Sequence, residues 1–142
     1  MVGMWRLLYI ETTDLHGDVV ADANIVRGRG ASPSGLLAYS AAGEMSVQIA
    51  PSHRRRADGD TLEGDQALAI VRGYTAYFGR YTLDAANGSV THHVESHINP
   101  NLIGINYRRF YEFKGDQLVL RLPPVVVMGR EQTQRLYWSR IG

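Results

Sequence analysis

A repeated rhythm limits most strongly what this chain can become. Short runs rich in β-branched, aromatic and alternating residues recur along it, each closed by a cluster of Gly, Asn, Asp or Pro. Alternation sends successive side chains to opposite faces, and Gly or Asn supplies the positive φ that tight reversals require. The pattern predicts strands at about 5–12, 36–40, 44–50, 78–83, 89–97, 105–113, 117–122 and 131–141, with a weaker stretch near 18–21. Ala41-Ala42-Gly43, Ala85-Ala86-Asn87-Gly88 and Lys114-Gly115-Asp116 carry hairpin chemistry, so the strands they join must be neighbours. Such a meander closes most economically into an up-and-down barrel, which removes exposed edges and leaves an interior suited to one small ligand. The expected fold is mainly β: a single antiparallel eight-stranded barrel with one helix packed beside it. One domain over residues 1–142 suffices, since a chain of this length buries about two-thirds of its unfolded surface.

One segment departs from the β rhythm. Ala67, Leu68, Val71, Tyr74, Thr75 and Phe78 recur at three- and four-residue spacing after Asp60 and Glu63, which predicts a helix of about three to four turns opened by a capping box. The preceding loop at 51–60 holds Arg54, Arg55 and Arg56 beside Asp58 and Asp60, and reads as solvated surface rather than a nucleic-acid patch. The long connection at 123–130 is apolar, Pro123-Pro124-Val125-Val126-Val127-Met128-Gly129, as a covering segment would be.

Composition removes several function classes. A net charge of +1 with 44% hydrophobic and 20% charged residues excludes a disordered acidic chain and gives no whole-molecule field for nucleic acid. The absence of cysteine excludes disulfides, thiolate metal sites and a cysteine nucleophile. Leu7-Leu8-Tyr9-Ile10 is too short for a signal core or a membrane span, so the expectation is a cytoplasmic protein with no membrane partner. No Gly-x-Ser-x-Gly elbow or phosphate loop occurs, Gly28-Arg29-Gly30 lacks the following helix of a dinucleotide site, and Asn87-Gly88-Ser89 reads as a turn. No cofactor is expected. His93 with Glu95, or Glu95 with His97, could share one ion, but three same-face residues span ~13 Å along a strand, and spacing identifies no further ligand. The expectation is therefore no metal.

Several segments carry a resemblance to a known family. Gly3-Met4-Trp5, Gly35-Leu36-Leu37-Ala38-Tyr39, Gly43-Glu44-Met45-Ser46-Val47-Gln48 and Tyr74-Thr75-Ala76-Tyr77-Phe78-Gly79-Arg80-Tyr81 resemble the lipocalin-like domain family of bacterial and fungal proteins. So do Val90-Thr91-His92-His93-Val94-Glu95, Arg109-Phe110-Tyr111-Glu112-Phe113 and Leu136-Tyr137-Trp138-Ser139-Arg140. The resemblance implies a calycin-type barrel around a cavity, with Trp5 closing one end beneath Arg140. It also implies binding of a small molecule, and in some related barrels of biosynthetic pathways a cyclase or isomerase activity.

Strand parity gives candidate wall residues without the family, because the more apolar set of each strand points inward. Leu118, Leu120 and Leu122 oppose Gln117, Val119 and Arg121, while Leu136 and Trp138 oppose Arg135, Tyr137 and Ser139. Tyr81 and Leu83 oppose Arg80, Thr82 and Asp84. In the strand at 105–113, Tyr107, Arg109, Tyr111 and Phe113 share the inward face. A buried guanidinium is costly unless paired, so Arg109 either meets an internal carboxylate or carbonyl or contacts an anionic or carbonyl ligand. The two faces of the strand at 89–97 are less distinct: apolarity favours His92 inside with His93 outside or under the helix, and an inward His92 is either a satisfied core histidine or a general acid and base.

The candidate catalytic set is His92, Arg109 and Tyr111, and the candidate ligand-binding walls are Tyr9, Tyr39, Tyr81, Tyr107, Trp138 and Leu120. The mouth is expected at Asn99-Pro100-Asn101 and Pro123 to Gly129. With these residues the barrel reads as a cofactor-independent cyclase or isomerase for a hydrophobic, oxygenated, polyketide- or terpenoid-like intermediate. A carrier for an apolar ligand is the alternative, and a barrel filled by its own two tryptophans, eight tyrosines and three phenylalanines is the third reading. Apolar surface on the helix or on the Val125 to Met128 loop would support a homodimer.

Overall fold

In the computed structural model, which describes residues 1–56, 59 and 61–142, nine strands form one antiparallel sheet. Strands β1 (Gly3–Asp14), β2 (Pro33–Tyr39), β3 (Glu44–Pro51), β4 (Thr75–Asp84), β5 (Ser89–His97), β6 (Asn106–Lys114) and β7 (Gln117–Arg121) follow one another as neighbours. The last strand, β9 (Arg130–Arg140), bonds β7 on one side and β1 on the other, so eight strands close into a barrel. Alternation and hairpin turns lead to this arrangement because each two-faced strand must find a neighbour on both edges.

The apolar connection at 123–130 contains the ninth strand, β8 (Val125–Val127), which pairs with β9 beyond the point where β7 stops. Pro123 and Pro124 have no N–H to give the ladder. The β7 line therefore breaks after Leu122, whose N–H still reaches the Gln134 carbonyl at 3.0 Å. The weak stretch at 18–21 forms a single bridge, Thr13 to Val19, and a short helix α1 (Ala23–Val26) follows it.

Two bulges set which side chains face inward. Leu7 lies opposite Trp138 and Tyr9 opposite Tyr137, leaving Leu8 as an extra residue that reverses the parity of β1 beyond it. Trp5, Leu7, Ile10 and Thr12 consequently point in. On β5 the extra residue is Glu95, between Val94 opposite Gly79 and Ser96 opposite Phe78, and it brings His97 onto the face of Tyr77. Trp5, Leu37, Val90, Leu118 and Trp138 form the most deeply buried part of the core.

The helix is shorter than its sequence pattern predicts. Helix α2 (Gly64–Gly73) begins where the Glu63 N–H donates to the Gln66 side chain at 3.0 Å, and the other proposed start, Asp60, lies outside the described residues. It ends at Gly73, whose backbone lies so close to the Gly28 carbonyl that a Cβ would stand 2.5 Å from it. Thr75, expected on the helix, belongs to β4, which also takes in Phe78, where the helical spacing and the expected strand at 78–83 overlapped. Only Gly73 of α2 is buried, so the helix contributes little to the barrel wall.

The two ends of the barrel differ. One carries the three tight hairpins and is closed by Trp5, with the Arg140 guanidinium 4.3 Å above its ring and bonded to the Val2 carbonyl at 2.7 Å. The long connections leave from the other end, including those holding α1, α2 and the 3₁₀ turn Pro100–Leu102.

Gly79 lies beside the β5 bulge, where a Cβ would collide with the His93 carbonyl. Gly79→Ala is expected to lower unfolding free energy by about 3 kcal/mol or more in chemical denaturation. Gly64→Ala, whose Cβ meets nothing, should leave it unchanged or raise it by up to about 1 kcal/mol.

Candidate functional site

Buried polar side chains converge in the half of the barrel below the long connections. His92 on β5 is 2% exposed and held on both ring nitrogens: the Tyr39 hydroxyl lies 2.6 Å from Nε2 and the Tyr77 hydroxyl 2.8 Å from Nδ1. A neutral imidazole donates at one nitrogen and accepts at the other, so one tyrosine donates to it and the other accepts. Burial, with help from Arg109, lowers the His92 pKa to about 3, so the ring is neutral at pH 7. Burial also raises both phenols, Tyr77 to about 12, although Arg109 opposes the rise at Tyr77. Neither tyrosine is ionised at neutral pH.

Arg109 on β6 stacks on Tyr107, its guanidinium carbon 4.7 Å from the ring centre, and its Nη1 donates to the Arg108 carbonyl at 3.3 Å. A second guanidinium comes from the loop after α1, where Arg29 donates to the Gln134 Oε1 at 3.1 Å. Its burial and the neighbouring Arg27 and Arg109 pull its pKa down to about 10. Together with apolar residues from Leu37 to Trp138, Arg29, Arg109, His92, Tyr77, Thr75 and Gln134 surround an internal space of about 50 Å³. That is the room of one or two waters at roughly 30 Å³ each, against roughly 300–1,000 Å³ for ordinary ligand pockets.

Larger hollows lie outside this space, two of them beside the helices. A groove of about 320 Å³ runs between α1 and the β8–β9 hairpin, lined by Val20, Ala23, Val26, Arg27, Val127 and Met128 among others. A wider one of about 640 Å³ lies between α2 and the arginine loop, open to solvent.

The sequence-derived candidates separate under this geometry. His92, Tyr39, Trp138 and Leu120 are inside and buried, and Arg109 lines the space with Tyr107 beneath it. Tyr81 packs edge-on against Tyr39 and gives its hydroxyl to the Ser40 carbonyl, outside the lining. Tyr111 also stands away from it, packed against Phe113 on the side of Trp5. Tyr9 must be corrected: the Leu8 bulge turns it to the outer surface, where it stacks on Tyr137 at 4.3 Å and is 49% exposed. His93 is on the outer face, bonded to Thr82 and Asn106. Among the described residues no group of three His, Asp or Glu could hold a metal.

Tyr77, Gln134 and Arg29 were not among the candidates. Tyr77 shares the parity of Tyr81 and Gln134 that of Leu136 and Trp138, so alternation carried both signals. Arg29 sits in an irregular loop with no such signal.

A closed barrel with Arg140 lying over Trp5 is the architecture the motifs led one to expect, and a family model described as a lipocalin-like domain matches residues 2–141. The chain belongs to the lipocalin-like domain family. No curated protein matches this lipocalin-like domain. A solved structure similar to it is that of a secretory abundant heat soluble (SAHS) protein from Ramazzottius varieornatus, obtained from a dimer sample. The two share 15% identity over 99% of this chain and 94% of the other, with a TM-score of 0.45. Among the described residues no helix is long and apolar enough to cross a membrane.

The folded His92 takes up a proton only near pH 3, whereas the unfolded one does so near 6.5. Its neutral, bonded form therefore stabilises the fold fully above 6.5, and that contribution is lost as pH falls from 6.5 toward 3. His92→Gln is expected to flatten the dependence of unfolding free energy on pH across that window, as read by denaturant titrations at several pH values.

Proposed function

We propose that this lipocalin-like domain binds a small, mainly apolar molecule bearing an oxygen function, holding that function at the open end of the barrel. The observation that carries the reading is the convergence of Arg29, Arg109 and Gln134 on one internal space whose remaining walls are largely apolar. A few placed donors in an apolar setting orient a ligand and select its polar end. The small volume means that the space seats the polar end alone, with the rest of the ligand extending toward the mouth or displacing the half-buried Arg109. Carriage or sequestration needs nothing more than this geometry.

A cyclase or isomerase acting on an oxygenated biosynthetic intermediate is the second reading, favoured by the chain Tyr77–His92–Tyr39 beside Arg109. In that reading Arg109 and Tyr77 polarise a substrate carbonyl, and the His92 ring passes a proton between the two hydroxyls. With both ring nitrogens engaged, His92 acts through the tyrosines rather than on substrate. Tyr77→Phe should then abolish conversion of the bound intermediate while changing its affinity less than about tenfold.

Native mass spectrometry of the freshly purified protein, with extraction of anything bound, identifies the ligand class. The uncharged probe N-phenyl-1-naphthylamine is expected to bind at about one per chain, and Leu120→Trp, which fills the interior, should weaken that uptake at least about tenfold. Exclusion of the probe from the wild-type protein would instead favour a barrel filled by its own side chains.

A further inference from the structure

We infer that the ligand carries a carboxylate, seated between Arg29, Arg109 and Gln134, with its apolar remainder lying outward along the groove between α1 and the β8–β9 hairpin. This rests on the reading that the barrel holds a small molecule, and adds the charge and the orientation of that molecule.

The first support is a charge imbalance. Among the described residues the one ion pair is Arg80 with Glu44, outside the barrel at 2.8 Å. Asp14, at the rim of β1, shares the parity of Gln132, yet its carboxylate is taken by the N–H groups of His16 and Asp18, each at 2.9 Å. Arg29 and Arg109 thus face the internal space with a neutral amide, the Tyr77 phenol, a backbone carbonyl and an aromatic ring as their partners. A half-buried guanidinium held by neutral groups is an incomplete arrangement, because its charge remains without a counter-charge. The lowered pKa of Arg29 has the same origin.

A second support is independent of charge. Gln134 is 2% exposed, its Oε1 accepts from Arg29, and its Nε2 has no partner. An unpartnered buried N–H beside two guanidinium groups is a set of donors lacking an acceptor. A carboxylate supplies two acceptor oxygens and the planar shape that a guanidinium fork matches.

Orientation follows from the neighbouring pair. Arg27 donates to the Gln132 Oε1 at 3.5 Å, two residues along both segments from Arg29 and Gln134. Arg27 and Gln132 line the outer groove, whose walls are Val20, Ala23, Val26, Val127 and Met128, whereas Arg29 and Gln134 line the inner space. The inner space of about 50 Å³ accepts a head group, and the groove of about 320 Å³ offers apolar cover for a chain.

The test compares decanoate with decan-1-ol by calorimetry on the wild-type chain and on Arg29→Gln and Arg109→Gln. Wild-type protein is expected to prefer the acid at least about tenfold, and each variant to bring the two ligands close to parity. Ligand-free Arg29→Gln should melt close to the wild-type temperature, since it removes a half-buried charge that has no counter-charge and keeps an amide able to donate to Gln134, and this separates loss of the seat from loss of the fold. Equal binding of acid and alcohol to the wild type would overturn the anionic seat and leave the binding reading intact. Failure of both to bind would overturn both readings, and a preference that survives in both variants would overturn the assignment to these arginines.

Discussion

The hydrogen bonding of β1 to β9 is the interaction on which everything else depends. It runs from Trp5 opposite Arg140 to Asp14 opposite Gln132, and it turns a two-edged sheet into a closed wall. Closure turns the inner face of every strand away from bulk water. Polar groups on that face then depend mainly on one another for partners. The clasp on His92 forms across the barrel from this seam, whereas the amide held by Arg29 belongs to the seam itself, at Gln134 opposite Thr12.

Dryness acts differently on the two kinds of basic side chain inside. The His92 imidazole escapes the cost of burial by giving up its proton, and as a neutral ring it becomes a spacer between two phenols. Arginine has no comparable escape. Arg29, even with its pKa drawn down to about 10, stays protonated at neutral pH. The interior therefore combines a relaxed polar network around β5 with an electrostatically incomplete one near β9, and the second is where an incoming group gains most.

Much of the architecture was legible in the chain because alternation and turn chemistry are local. The eight barrel strands, their order and the inward faces of β6 and β7 followed from parity and hairpins, whereas parity left the inward face of β5 open. Bulges were not legible. The extra residue at Leu8 reverses parity without leaving any compositional mark, which is why Tyr9 read as a wall and stands outside. The helix was overextended for a different reason: Tyr74, Thr75 and Phe78 keep helical spacing with its apolar residues. Its end is fixed by the contact of Gly73 with Gly28, two residues far apart in sequence. That extension concealed Tyr77, and with it one arm of the histidine clasp. Arg29 belongs to an irregular loop, whose path over the barrel depends on tertiary packing rather than periodicity.

The interruption at Pro123 and Pro124 has a consequence for solubility. A barrel closed by its first and last strands has no free rim of backbone donors, but β8 adds one, and its outer residues are apolar, with Val126 71% exposed. A long valine edge of that kind would be a template for strand exchange between molecules. Two prolines on one side and the Met128-Gly129 turn on the other confine it to three residues, too short to recruit a neighbouring chain by backbone pairing alone. The segment can thus keep its apolar character beside the groove while offering only a three-residue edge for pairing.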